Sequence, residues 1–239
     1  MPQGKLHHFG VLIPSTNTTA ELEYSRLLPE GWQAHYARMA TSSVNKTPFS
    51  PPRDEDLDYQ AKMLGTARVE TVFLLQTSAS LFSEGYCEDV SRRIEAAAGV
   101  PGFTSAMAIG EAMQAIGTKR VALVSPYSEP VNASAKRYFE DRYGLSVVAL
   151  EGFTATDSYA IGQLGPENAR DAFARIDRPE IEAFIVPGGN FPTMASIAGW
   201  EREFGKPVVT TNQAALWAAL RRLGSPDRFP GLGRLLGDR

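Results

Sequence analysis

Four short clusters of hydroxyl, amide and glycine residues stand where apolar runs end in this sequence. They are Ser15-Thr16-Asn17, Gln76-Thr77-Ser78 with Ser80 nearby, Tyr127 with Asn132, and Gly188-Gly189-Asn190. Hardly a charged side chain lies among them. Neutral donors gathered at strand ends and helix starts suit a carboxylate, or an enolate developing from one, because hydrogen bonds and helix dipoles both favour an anion. Gly188 and Gly189 carry no Cβ, so their backbone N–H groups can approach a ligand closely. Any one cluster also reads as a plain set of helix N-caps, and Tyr127 by itself also reads as a core aromatic. Four clusters in equivalent places favour a site built from Ser15, Asn17, Thr77, Ser78, Tyr127, Asn132, Gly189 and Asn190.

Titratable candidates are few. His35 falls within a strand, where a buried structural role competes with proton transfer. Arg38, and Arg53 in a Pro-rich loop, could pair with a second carboxylate, although solvated surface roles suit both. Cys87, the only cysteine, reads first as a small buried hydrophobe. It allows no intrachain disulfide, which fits a reducing, cytoplasmic setting. One cysteine and three histidines do not make a zinc site, and no metal or cofactor is expected.

The elements that position these clusters follow from the pattern of short apolar strands alternating with helical stretches, which predicts βα units and parallel sheets. The first strand spans 9–13, and Pro14 stops it. A helix follows over 20–28, a second strand over 33–40, a helix over 56–69 and a buried strand over 71–75. Residues 47–52, Thr-Pro-Phe-Ser-Pro-Pro, form a loop. The chain also repeats itself. Residues 10–17 match 120–127, residues 69–78 match 181–190, and residues 99–105 match 205–211, in the same order. The expected architecture is α/β: two pseudo-symmetric halves, 1–117 and 118–239, with a ligand cleft between strand ends that face one another. A closing helix over 230–236 is expected to pack back on the first half.

Composition narrows the partners. Of 239 residues, 43% are hydrophobic and 21% charged, enough for a real core, and the net charge is −3. No Lys/Arg cluster offers a footprint for nucleic acid or an anionic membrane, and no apolar run approaches the roughly 20 residues of a membrane span. G-x-G-x-x-G after the first strand and G-x-x-x-x-G-K-[ST] are both missing, which disfavours a nucleotide-binding fold.

Residues 10–18, Gly-Val-Leu-Ile-Pro-Ser-Thr-Asn-Thr, with Glu21 and Glu23 after them, resemble the start of maleate cis-trans isomerases. So does 205–217, Gly-Lys-Pro-Val-Val-Thr-Thr-Asn-Gln-Ala-Ala-Leu-Trp, with Leu220-Arg221 and Gly224 beyond it. Residues 76–80, Gln-Thr-Ser-Ala-Ser, residues 125–127, Ser-Pro-Tyr, and the closing 230–235 are similar to arylmalonate decarboxylases. Both groups belong to the aspartate/glutamate racemase superfamily. The resemblance implies two βα domains, a homo-oligomer, and a small carboxylate or dicarboxylate held between the domains without metal or cofactor. It also implies that Asn17, Thr77, Ser78 and Tyr127 bind carboxylate oxygens, helped by backbone near Gly189.

One departure matters more than the agreement. Racemases and maleate isomerases of this group use two cysteines, and the decarboxylases keep the second. Those positions fall here on Gln76 and Gly188, neither of which can act as nucleophile or general acid/base. A cysteine placed at 188 is expected to restore some proton transfer. Two-cysteine racemization is disfavoured, and decarboxylation with an enediolate held by neutral donors fits better. A carboxylate-binding protein without turnover, or an isomerase using a non-cysteine mechanism, are the alternatives.

Overall fold

The computed structural model describes residues 6–40 and 54–238. The first half of the chain contributes β1 (His7–Pro14), α1 (Ala20–Leu27), β2 (Trp32–Met39), α2 (Leu57–Thr66) and β3 (Val72–Leu74). After these come α3 (Thr77–Ser80), α4 (Tyr86–Ala98), β4 (Gly102–Thr104) and α5 (Ser105–Ile116). The second half contributes β5 (Arg120–Ser125), α6 (Glu129–Tyr143), β6 (Ser146–Gly152), α7 (Ser158–Gly162), α8 (Pro166–Ile176) and β7 (Ala183–Val186). It continues with α9 (Ile197–Phe204), β8 (Val208–Thr210), α10 (Thr211–Arg222) and α11 (Gly233–Asp238).

The strands form two four-stranded parallel sheets of identical order, β2-β1-β3-β4 and β6-β5-β7-β8. The repeat in the sequence is therefore a repeat of structure, and equivalent strand ends carry the four polar clusters. β1 lies inside its sheet and buries both faces. Phe9, Val11 and Ile13 join the core shared by both halves, while Leu12 points the other way onto Val72, Leu74 and the inner faces of α2 and α4. Strands buried on both sides read as unbroken apolar runs, which is why β1 and β3 were legible.

The shared core runs through α5 and α10, which pack on each other across the halves. Arg222 of α10 donates to both oxygens of Glu111 on α5 at 2.8 Å and lies 4.2 Å from the centre of the Phe103 ring. With side-chain exposures of 24% and 32%, this bidentate pair is partly shielded from water. The halves are thus fastened at the same helices whose N-termini enter the site.

Two expectations change. The helix expected over 56–69 stops at Thr66, because Arg68 adopts φ +56°, a left-handed conformation that no helix continues. The closing helix begins at Gly233 and packs on α9 and α10 of its own half, with the Leu232 carbonyl accepting from Gln213 Nε2 at 2.7 Å. What reaches back to the first half is the stretch before it, where Asp227 accepts from Trp32 Nε1 at 2.8 Å. The expected loop over 47–52, and Arg53, lie outside the described residues.

Candidate functional site

Thr77 opens α3 directly after β3 and is buried, 1% exposed. Its hydroxyl meets Ser105 Oγ at 3.0 Å and Thr211 Oγ1 at 3.2 Å, the first residues of α5 and α10. Those two residues are equivalent in the repeat, so the N-termini of two twelve-residue helices converge on one hydroxyl. Thr211 Oγ1 in turn accepts the Gly188 N–H at 2.8 Å. The buried Tyr127 hydroxyl faces the Thr77 side chain and the Ser78 N–H. Burial pushes its pKa up against both of those hydrogen bonds, so at neutral pH it is a neutral O–H donor.

The opposite wall is a corner that ties the two halves together. Asn17 turns the chain into α1 by accepting the Thr19 and Ala20 N–H groups at 3.0 and 2.9 Å, while its Nδ2 donates to the Gly189 carbonyl at 3.1 Å. Asn190 accepts the Thr18 N–H at 2.8 Å, donates to the Ser158 carbonyl at 2.7 Å, and offers its own carbonyl to Thr19 Oγ1. α7 closes over this corner. At Gly162 a Cβ would lie 2.6 Å from Thr18 Oγ1, so only glycine lets the helix come so near.

The structure brings Thr77, Ser78, Tyr127, Gly188, Gly189, Asn190 and Asn17 to the junction between the sheets. Among the described residues, the Gly189 and Asn190 N–H groups have no protein acceptor. Asn132 stands one step back: its amide donates to the Tyr127 carbonyl at 3.0 Å and takes the Ser125 hydroxyl, and so locks the β5–α6 corner. Ser15 is exposed, with its carbonyl held by Arg38 Nη1 at 3.1 Å. Gln76 is half-buried at the start of α3. Gly188 adopts φ +115°, and a Cβ there would lie 2.9 Å from Pro126 Cγ.

Of the titratable candidates, Arg38 touches the backbone of two site residues, while His35 and Cys87 lie elsewhere. His35 pairs with Gly10 from the edge strand β2 and meets His8 at 2.8 Å; burial, then His8, pushes its pKa down. Arg38 binds the Ser15 and Asn17 carbonyls and pairs with Glu21 at 2.5 Å. The buried Cys87 thiol lies on α4, 3.3 Å from both the Tyr138 hydroxyl and Thr104 Oγ1. Among the described residues no group of three or more His, Cys, Asp or Glu could hold a metal, and no helix is long and apolar enough to cross a membrane.

Sequence reasoning passed over Ser105, Thr211, Asn212 and the role of Glu23. The first three sit in the matched segments 99–105 and 205–211 or directly after them, so polar helix starts at equivalent places were the available signal.

Residues 9–236 match the family model described as arylmalonate decarboxylase. The Pseudomonas putida maleate isomerase is 27% identical, over 97% of this chain and 98% of its own. The Bordetella bronchiseptica arylmalonate decarboxylase is 24% identical over the full length of both chains. A crystal structure of a cysteine-to-alanine variant of the Pseudomonas putida S16 maleate isomerase with maleate superposes with a TM-score of 0.90. It is 28% identical, covering 97% of this chain and 98% of that one. A match over nearly every residue, on the same paired sheets, places this chain in the arylmalonate decarboxylase family.

Proposed function

We propose that this protein is a cofactor-independent enzyme acting on a small carboxylic acid, with decarboxylation of a malonate-type diacid as the reaction its site suits best. The observation that carries this reading is the convergence on one spot of Thr77, Ser78 and Tyr127, all neutral donors, with two helix N-termini behind them and the Gly188 N–H tied to the same hub through Thr211. The kinship with maleate isomerases and arylmalonate decarboxylases supports a small carboxylate as substrate. In such a reaction the bond from the α-carbon to one carboxylate breaks and carbon dioxide leaves. The electron pair stays behind as an enediolate on the other carboxylate, and a proton then adds to carbon. Donors preorganised for two carboxylate oxygens hold the enediolate more strongly than the ground state, which is what lowers the barrier. Asn17 and Asn132 hold the donors in place, and Ser15 and Gln76 lie at the rim. Neither Gln76 nor Gly188 transfers protons at neutral pH, so water or another donor completes the cycle.

Proton NMR in deuterium oxide with phenylmalonate, methylmalonate, maleate, aspartate and glutamate tests this. Loss of a malonate signal with deuterium entering the α-carbon is the expected result. Unchanged spectra across the panel would remove the catalytic reading.

The second reading, a carboxylate-binding protein without turnover, draws on the same absence of an acid/base at 76 and 188. It predicts stabilisation by ligand, about 2.7 kcal/mol at a hundredfold excess over Kd, with no substrate consumed. Under either reading, malonate affinity should hold steady from about pH 7 to about pH 9.5. Burial raises the Tyr127 pKa above its ordinary 10, so the O–H donor is kept throughout that range. Calorimetric titration that showed affinity collapsing in this window would take Tyr127 out of the anion site.

A further inference from the structure

α1 carries a carboxylate that this reading leaves unused. Glu23 is buried, and desolvation pushes its pKa up against hydrogen bonds from Asn212, Met194 and Thr193. Its Oε1 accepts the Thr193 and Met194 N–H groups at 2.6 and 2.8 Å, and its Oε2 accepts Asn212 Nδ2 at 2.6 Å. The same Asn212 nitrogen donates to the Gly189 carbonyl at 3.2 Å, where Asn17 Nδ2 also donates. A peptide group is planar and trans, so fixing the Gly189 carbonyl also fixes the Asn190 N–H, which points the opposite way. One residue earlier, the Gly188 carbonyl accepts the Phe191 N–H at 3.0 Å, which sets the Gly189 N–H in the same manner.

The chemistry of the pair is directional. Glu23 and the Gly189 carbonyl are both acceptors, so the amide of Asn212 must turn its nitrogen to them, and its Oδ1 is left buried without a partner. Such an orphan is costly, and its retention marks the two donations as what orders this side chain. Glu201 offers a contrast. It too is buried and accepts two backbone N–H groups, from Val208 at 3.0 Å and Arg234 at 2.8 Å, but it ties α9 to β8 and α11 and has no bond to the Gly189 corner.

We propose that Glu23 is a positioning residue for the anion site: through Asn212 and the Thr193–Met194 backbone, it holds the Gly189–Asn190 peptide with its N–H turned to the ligand. What that N–H binds rests on the function proposed above; that Glu23 orients it does not.

The test uses full-length protein and three readouts: thermal midpoint, amide NMR shifts of Gly189 and Asn190, and affinity for malonate. In Glu23→Gln one acceptor becomes a donor, so the Asn212 amide turns over and the Gly189 carbonyl loses its second partner. Both amide signals should move, and malonate affinity should fall about tenfold or more. Adding Asn212→Asp rebuilds the buried bond in reverse but sets a carboxylate oxygen against the Gly189 carbonyl. The double variant should therefore regain its thermal midpoint while the amide shifts and the affinity stay displaced. Glu201→Gln should lower the midpoint and leave both amides in place. Asn212→Ser, which keeps Glu23 and its backbone contacts, should move the same two amides, and it serves if Glu23→Gln does not fold. Gly189 and Asn190 signals that stay at wild-type positions in these variants, or that return together with stability in the double variant, would reduce Glu23 to a structural clamp. Wild-type protein that ignores malonate would count against the proposed ligand, while the amide shifts alone would still decide the role of Glu23.

Discussion

Replacing Thr77 with valine is expected to lower turnover of a carboxylate substrate about 10²- to 10³-fold, the range seen when one oxyanion donor is removed. Valine keeps the shape of threonine and leaves the core around α3 filled. What disappears is one hydroxyl that touches Ser105, Thr211 and the Tyr127 hydroxyl at once. Thr211 keeps the Gly188 N–H but loses its tie to the hub, so the α10 N-terminus is no longer coupled to α3 and α5. Three donors lose the partner that aims them, so kcat/KM should fall further than stability does. The stability loss should be about 1–3 kcal/mol, the cost of leaving buried hydroxyls unpaired. Steady-state kinetics beside thermal unfolding separates the two effects. Turnover within a few-fold of wild type in a folded Thr77→Val protein would place the anion elsewhere.

The same hub shows what a sequence can and cannot display. Each strand end was legible because its signal is local: an apolar run, a proline or glycine stop, then a hydroxyl or amide. The repeat between residues 99–105 and 205–211 was legible for the same reason, and it foretold that two helix starts would be equivalent. That Thr77 and Thr211 touch across 134 residues is a property of how the halves dock, and no local pattern carries it. Glu23 and Asn212, 189 apart, are a stronger case. On α1, Glu23 reads as an acidic residue favouring the helix N-terminus, and only the opposing corner reveals that it is buried. Asn132 misleads in the other direction. It looks like a ligand donor because it follows Tyr127 closely, yet its amide holds Ser125 and the Tyr127 carbonyl. The α2 boundary turned on a single backbone angle at Arg68, which nothing about arginine announces.

Cysteine at 188, which homology suggests as the way to bring back proton transfer, is expected to destabilise the protein before it does any chemistry. Gly188 adopts φ +115°, where an L-residue is strained by about 1–3 kcal/mol. Its Cβ would also lie 2.9 Å from Pro126 Cγ and 3.3 Å from Cδ, and a proline ring cannot swing aside as a flexible chain would. Overpacking of that kind adds about 1–3 kcal/mol. Together these are a large part of the 5–15 kcal/mol that holds a typical domain, and the thermal midpoint should fall on the order of 10 °C. Gln76 is different: its φ of −136° suits any side chain and it is half-buried, so Gln76→Cys should unfold within a few degrees of wild type. The two positions are thus unequal in this chain. A thiol can enter at 76 without moving the backbone, whereas at 188 the corner formed with Pro126 must open first. Opening it would pull the Gly188 N–H from Thr211 and disturb the Gly189 peptide beside it, so any gained thiol chemistry would come with a damaged anion site. Differential scanning calorimetry of the two single variants decides the matter. A Gly188→Cys protein as stable as wild type would mean that the Pro126 corner yields freely, and that glycine at 188 answers to something other than backbone geometry.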